Sequence, residues 1–125
     1  MKKFAAFSVI VFLLILLGGI SILSKKEGSP TSSGQESLPN SYEYFWSRTC
    51  PHCTKVQQFF DGWEKGEEVE VDKKEVSNPQ NTNLLRRRGT YCNLPQTKIG
   101  VPFLFTPEGE CIVGDEPIIS FFKEL

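Results

Sequence analysis

The stretch SYEYFWSRTCPHCTKVQQFFDGW, at residues 41–63, decides the fold that this sequence predicts. Its first part, residues 41–46, is rich in aromatic side chains, which favour a β-strand. Its second part repeats apolar residues with the i, i+3, i+4, i+7 spacing of one helix face: Val56, Phe59, Phe60 and Trp63. Cys50 and Cys53 lie between the two patterns. The sequence therefore predicts a cysteine pair between a strand and a helix.

Alternating and helical patterns continue after this stretch. Residues 68–72 alternate polar and apolar side chains, which predicts a second strand. A weaker helix opens at Asn78-Pro79 and is expected to end at the run 86–89, where arginines precede a glycine. Cations are favourable at a helix C-terminus because the last carbonyl groups carry partial negative charge.

A hairpin and a last helix complete the pattern. Residues 101–105 and 111–114 predict two strands joined by a turn at 107–110. Asp115 is expected to cap the final helix. That helix has its own apolar stripe: Ile118, Phe121, Phe122 and Leu125. The predicted order is β-α-β-α-β-β-α, in the α/β class.

The candidate chemistry lies in Cys50-Pro51-His52-Cys53. A sulfur at a helix start faces unpaired N–H groups, which stabilise a thiolate, and Pro51 suits the first helical turn. His52 is the only histidine of the chain, and a hydrogen-bonding or protonated ring there would lower the pKa of Cys50. We expect Cys50 to be the exposed nucleophile and Cys53 the buried resolving thiol.

The N-terminal segment is expected to be a membrane element. Residues 4–24 carry no charge, and a helix of that length spans about 31 Å, close to the thickness of a bilayer's hydrocarbon core. We expect an uncleaved signal anchor at residues 1–24, with a cleaved signal peptide as the alternative. Residues 25–40, rich in Gly, Ser, Pro and charge, predict a flexible linker, which leaves 41–125 as the folded domain.

Length and charge exclude several classes of protein. About 100 residues follow the apolar segment, which is enough for one modest core and too few for a multidomain enzyme. Beyond residue 24, 12 basic residues stand against 15 acidic ones. Binding of nucleic acid through bulk positive charge is therefore not expected.

Residues 41–125 resemble the thioredoxin superfamily. The resemblance rests on a strand leading into Cys50-Pro51-His52-Cys53 and on Gly100-Val101-Pro102-Phe103 before the hairpin, which looks like the family's cis-proline loop. It implies a four-stranded mixed sheet with flanking helices. It also implies that Pro51, Val101 and Pro102 contact the substrate chain. The Pro-His dipeptide is similar to disulfide oxidases of the DsbA type.

The sequence also departs from this family. Many members carry a buried acid six residues before the first cysteine; here that position is Tyr44, beside Glu43. The chain has no room for the helical insertion of DsbA-type proteins. Its size and Arg48-Thr49-Cys50 look more like glutaredoxins, and Gly114-Asp115 faintly resembles part of their glutathione-binding motif.

Cys92 and Cys111 remain after the motif is assigned. The family topology implies that both lie at the end of the domain away from the active site, so a structural disulfide between them is expected. It would close a loop of about 20 residues, add about 3 kcal/mol and require an oxidising compartment. Two independent thiols, or a redox relay to Cys50, are the alternatives.

The sequence predicts a membrane-anchored thiol-disulfide oxidoreductase whose domain lies outside the cytoplasm. Its expected partners are exported proteins that carry thiols or disulfides, a redox partner in the same membrane, and the bilayer around residues 4–24; no cofactor or metal is expected. Alternatives are a glutaredoxin-like or electron-donating reductase, a zinc module using all four cysteines, and a binding module with an inactive motif. The run 86–88 is expected to be a solvated helix end, with a docking patch for a partner or anionic lipid as its alternative.

Overall fold

The computed structural model describes residues 37–125. Among these, none of the helices has the length and hydropathy that crossing a membrane requires. The predicted membrane segment 4–24 and most of the predicted linker lie outside the described residues.

A four-stranded mixed sheet forms the centre of the domain, with strand order β2-β1-β3-β4. Its strands are β1 (Tyr42–Trp46), β2 (Val71–Glu75), β3 (Phe103–Phe105) and β4 (Cys111–Val113). Strand β1 pairs parallel with β2 and antiparallel with β3, and β3 pairs antiparallel with β4. The central strands are buried because they consist mainly of aromatic and aliphatic residues.

Three α-helices flank this sheet: α1 (Pro51–Asp61), α2 (Pro79–Tyr91) and α3 (Asp115–Glu124). Two short 3-10 helices, Glu64–Glu67 and Gln96–Lys98, lie in the connections. The predicted order of strands and helices is confirmed, and so is the α/β class with a mixed four-stranded sheet.

The two faces of the sheet carry separate apolar cores, since successive strand residues point to opposite faces. Tyr44 and Leu104 pack on one face with α1 and α3. Phe45 and Phe103 pack on the other face with α2. Helices α1 and α3 therefore share a face, which brings the start of α3 close to the start of α1.

The second strand was placed three residues too early by the alternation at 68–72. The structure begins β2 at Val71, which pairs with Tyr42, and ends it at Glu75, which pairs with Trp46. Residues 68–70 belong to neither a strand nor a helix, and a 3-10 helix at Glu64–Glu67 precedes them. Pairing with the buried β1 selects the register, because β2 is an edge strand whose own pattern is mostly polar.

The predicted end of the second helix at Gly89 was also wrong. Helix α2 continues to Tyr91, with Cys92 as its C-cap. A Cβ atom at position 89 would lie only 2.5 Å from Ile99 Cδ1. Gly89 thus allows α2 to approach the following loop closely and does not end the helix.

Two smaller corrections concern residues near the cysteine motif. Strand β3 begins at Phe103 and not at Val101, since Val101–Pro102 forms a cis peptide bond outside the strand. Asp115 does not cap α3: Gly114, with φ 100°, is the N-cap, and Asp115 is the first helical residue. The Asp115 side chain is therefore available for contacts with α1.

Candidate active site

Cys50 and Cys53 lie at the N-terminus of α1, joined by a disulfide with a Cα–Cα distance of 5.2 Å. Cys50 is the N-cap residue, and Pro51 opens the helix. The backbone N–H of Cys53 donates a hydrogen bond to Cys50 Sγ at 3.1 Å. In the reduced protein the same donor and the positive end of the helix dipole stabilise negative charge on Cys50.

The two sulfur-bearing residues differ in burial. Cys53 is 1% exposed, whereas Cys50 is half-buried. Beneath Cys53, the Tyr44 hydroxyl donates a hydrogen bond to the Cys53 carbonyl at 3.3 Å. Cys50 is therefore the more accessible of the two cysteines.

The Val101–Pro102 loop lies against this cysteine pair. Cys50 Sγ is 3.7 Å from the Val101 carbonyl oxygen, and Pro102 is buried. The backbone N–H of Gly114 donates to the Pro102 carbonyl at 3.0 Å. The loop thus connects the cysteines of α1 to the first residues of α3.

His52 and Lys55 of α1 meet the carboxylate of Asp115. Asp115 Oδ2 lies 3.1 Å from His52 Nδ1 and 3.0 Å from Lys55 Nζ. The interaction with His52, followed by that with Lys55, holds the pKa of the Asp115 carboxyl well below its usual range. Asp115 in turn raises the pKa of Lys55. A carboxylate that contacts both an imidazole ring and a lysine ammonium group therefore lies next to the cysteine motif.

The sequence analysis gave Asp115 a capping role and a faint resemblance to part of a glutathione-binding motif, and did not predict its contact with the cysteine motif. The available signal was an acidic residue at a helix start directly after the hairpin that follows Pro102. That pattern indicates a contact with the cysteine motif only because α1 and α3 pack on the same face of the sheet.

Tyr44 occupies the position six residues before Cys50 and is fully buried. Its pKa is raised, first by burial and then by the charge of Asp115. The hydroxyl accordingly stays protonated and serves as a donor to the Cys53 carbonyl. The adjacent Glu43 faces the other side of the sheet and pairs with Arg88, at 2.8 Å from Arg88 Nε.

Cys92 and Cys111 are joined by a second disulfide, with a Cα–Cα distance of 6.2 Å. Cys111 pairs with Phe105, and Phe105 pairs with Glu43 near the start of β1. Cys50, in contrast, follows the end of β1. The two disulfides therefore lie at opposite ends of the sheet, which we call the motif end (Cys50–Cys53) and the distal end (Cys92–Cys111).

The arginine run 86–88 is not a uniformly solvated helix end. Arg86 is exposed, but Arg88 is only 5% exposed. Arg88 pairs with Glu43, donates to the Ser37 carbonyl at 3.1 Å and lies over the Phe105 ring. One of the three predicted surface cations is therefore part of the interior.

The four cysteines do not converge on one point, as a shared zinc site would require. In the part of the chain that the structure describes, no group of three or more His, Cys, Asp or Glu side chains is placed to hold a metal ion.

The chain was compared with known protein families, curated proteins and solved structures. No family model, no curated protein and no solved structure matches the chain. The chain therefore contains a small α/β domain with a mixed four-stranded sheet and a CXXC cysteine pair at a helix start. This arrangement is compatible with redox function.

Proposed function

We propose that this chain is a thiol-disulfide oxidoreductase of thioredoxin-like fold. One observation carries the proposal: a half-buried Cys50 and a buried Cys53 share a helix N-terminus, with the Cys53 N–H aimed at Cys50 Sγ. A disulfide here connects residues three positions apart, so opening it requires no separation of structural elements. These are the conditions for repeated thiol-disulfide exchange.

The reaction proceeds in two exchange steps. A substrate thiolate attacks Cys50 Sγ, the Cys50–Cys53 bond breaks, and Cys53 leaves as a thiolate that takes up a proton. A second substrate thiolate then attacks the substrate sulfur of the mixed disulfide and releases Cys50 as a thiolate. The substrate loses two electrons and gains a disulfide, and the domain is left as a dithiol. In the reductive direction Cys53 resolves the mixed disulfide.

Val101 and Pro102 have the role of holding the substrate chain next to Cys50. The Val101 carbonyl lies 3.7 Å from Cys50 Sγ, so a peptide that bonds to this loop places its own sulfur close to the reacting sulfur. The exposed Pro51 completes the contact surface. His52 stabilises the Cys50 thiolate, which makes the disulfide a stronger oxidant.

The proposed place of action is the extracytoplasmic side of a membrane, with residues 4–24 as the anchor and residues 25–40 as the tether. The Cys92–Cys111 disulfide supports an oxidising compartment. Substrates are exported proteins that carry thiols or disulfides. The reduced domain returns its two electrons to a disulfide-bearing partner in the same membrane. The cysteine chemistry itself requires no bound cofactor.

A reductase or glutaredoxin-like protein is the second candidate. The observation in its favour is that Asp115, in the segment similar to the glutathione-binding motif, lies beside His52. The same two cysteines would then pass electrons to substrate disulfides. The reduction potential of the Cys50–Cys53 couple separates the two directions: a value near that of thioredoxin, about −270 mV, favours the reductase.

Single-cysteine variants of the domain test the proposal. Incubated with a reduced, unfolded protein, the oxidised parent should introduce disulfides, and both Cys50→Ser and Cys53→Ser should lose this activity. Challenged with a disulfide-bearing protein, reduced Cys53→Ser should accumulate a mixed disulfide at Cys50, whereas Cys50→Ser should trap nothing. The control is Cys92→Ala/Cys111→Ala, which should keep the exchange activity. Equal trapping by both single variants, or none by either, would contradict the assigned roles.

Alkylation of the reduced protein at mildly acidic pH provides an independent measurement. Cys50 should react well before Cys53, because only Cys50 combines exposure with a stabilised thiolate. Equal labelling rates would count against a nucleophilic Cys50.

A further inference from the structure

We propose that Asp115 is a positioning residue for thiol-disulfide exchange: its carboxylate holds the His52 ring through Nδ1 and so controls how strongly His52 stabilises the Cys50 thiolate. The inference rests on the proposed function and adds to it a residue that is distant from the cysteine motif in the sequence.

The burial of the three groups supports this role. The Asp115 side chain is 12% exposed, whereas those of His52 and Lys55 are 65% and 57% exposed. A carboxylate that is largely removed from water needs partners, and His52 Nδ1 and Lys55 Nζ both lie close to the same oxygen, Oδ2. The buried Asp115 side chain has little freedom to move, and it restrains the more exposed His52 side chain.

Backbone contacts fix the position of Asp115 relative to the cysteine motif. Gly114, its neighbour, donates to the Pro102 carbonyl, and the adjacent Val101 carbonyl contacts Cys50 Sγ. A connected set of contacts thus runs from Cys50 through the loop to Asp115 and returns to α1 at His52. The position of the carboxylate relative to the sulfur is therefore set by the loop that is proposed to bind substrate.

The chemical consequence follows from the two nitrogens of the ring. Asp115 Oδ2 lies 3.1 Å from Nδ1, a close polar contact that does not meet full hydrogen-bond geometry. A carboxylate oxygen at this distance favours the proton on Nδ1, because an unprotonated nitrogen would turn its lone pair toward the negative charge. The ring is then held in one orientation by its contact with Asp115. Lys55 offsets the charge of Asp115, so the carboxylate orients His52 without placing an uncompensated negative charge beside the thiolate.

Few other titratable groups face the cluster formed by His52, Lys55 and Asp115. The effect of changing Asp115 can therefore be distinguished from the effects of neighbouring charges. Helix α1 contributes His52 and Lys55, and α3 contributes Glu116, which acts on Lys55 through its charge. Strand β1 contributes Tyr44, whose pKa is raised by burial and by Asp115. The only titratable residue of strand β4, Cys111, packs on the opposite face of the sheet and is in a disulfide.

The test is a double-mutant cycle on the redox equilibrium with glutathione. Asp115→Ala should favour the oxidised form of the Cys50–Cys53 couple by about three- to tenfold, the upper value corresponding to about 30 mV. In a His52→Ser background the same substitution should shift the equilibrium by less than about twofold, or in the opposite direction. If Asp115 acts only as a nearby negative charge, its removal stabilises the thiolate equally in both backgrounds, which would overturn the proposal.

Ring ¹⁵N NMR supplies a readout that a purely structural role would not change. Because His52 is the only histidine, its signals need no assignment. In the parent the neutral ring should carry its proton on Nδ1, and Asp115→Ala should abolish that preference. An unchanged tautomer would refute the proposed contact.

Three further variants keep the outcome decisive. Glu116→Gln removes a neighbouring charge on the same helical turn and should leave both the equilibrium and the tautomer unchanged. Asp115→Glu should restore part of the parent behaviour. If Asp115→Ala fails to fold, Asp115→Leu, which is close in size and has no acceptor, carries the same cycle.

Failure of the inference is distinguishable from failure of the proposed function. If Asp115 has no positioning role, the cycle shows no coupling while Cys53→Ser still traps substrate. If the proposed function is wrong, no mixed disulfide forms at Cys50 in any background.

Discussion

The motif end and the distal end each carry one disulfide, but the two disulfides connect different kinds of structural element. At the motif end, the disulfide joins two residues of one helix start, three positions apart. At the distal end, it joins the C-cap of α2 to the first residue of β4, 19 positions apart. The two bonds are chemically the same, so the difference lies in what they connect. A disulfide within one helix start is suited to exchange, and a disulfide between two distant elements is suited to stabilisation.

The charged groups show the same division. At the distal end, Glu43 and Arg88 are both nearly inaccessible and pair with each other. At the motif end, Asp115 contacts two side chains, His52 and Lys55, that remain more than half exposed. Buried partners depend on one another for compensation of charge, whereas exposed partners share that role with water. The distal end should therefore control stability, and the motif end should control reactivity.

The largest expected effect is on the buried pair. Arg88→Met leaves Glu43 without its cation and should lower the free energy of unfolding by about 3–5 kcal/mol. Urea unfolding of the oxidised protein measures this. The double variant Glu43→Leu/Arg88→Met should recover part of the loss, because it leaves no isolated charge. A loss below about 1 kcal/mol for Arg88→Met would show that the two ends do not differ in this respect.

The next effect concerns the two disulfides. Cys92→Ala/Cys111→Ala should lower the free energy of unfolding by about 3 kcal/mol, since it opens a loop of about 20 residues. The matched control is Cys50→Ala/Cys53→Ala, for which the same loop-entropy relation gives about 1.4 kcal/mol less. Urea unfolding of both double variants makes the comparison. Equal losses at the two ends would remove the distinction between a stabilising and an exchangeable bond.

The smallest expected effect is the pH dependence at the motif end. The pKa of Asp115 is lowered, first by His52 and then by Lys55, so its ionised form stabilises the fold above its usual pKa of about 4. This contribution is lost as the pH falls through the lowered value. Between pH 6 and pH 2.5, the parent should therefore lose slightly more stability than Asp115→Asn.

Urea midpoints at several pH values in this range measure the difference. Glu116→Gln is the control and should keep the parent's pH dependence, since Glu116 does not contact His52. Parallel curves for the parent and Asp115→Asn would mean that the carboxylate contributes no stability in its paired form.

Local patterns in the sequence were sufficient for much of the fold. The aromatic run before Cys50 and the apolar stripe after Cys53 predict β1 and α1, because side-chain spacing reports directly on strand and helix periods. The same reasoning gives the order of all four strands and three helices. It also predicts a helix-start cysteine pair, since Pro51 and the CXXC spacing are local features.

Local patterns failed where a partner far along the chain decided the outcome. The register of β2 depends on pairing with β1, so its own weak alternation at 68–72 could not locate it. Gly89 resembles a helix terminator until Ile99 is seen to pack against it. Arg88 resembles a surface cation until Glu43 is placed opposite it.

The sequence by itself determined the class of fold, the order of its elements and the cysteine pair at a helix start, because each depends on residues close together in the chain. Only the tertiary structure decided that Asp115 meets His52 and that Arg88 is buried and paired with Glu43. Those contacts join residues on different elements, and they exist only because α1 and α3 pack on one face of the sheet while α2 covers the other.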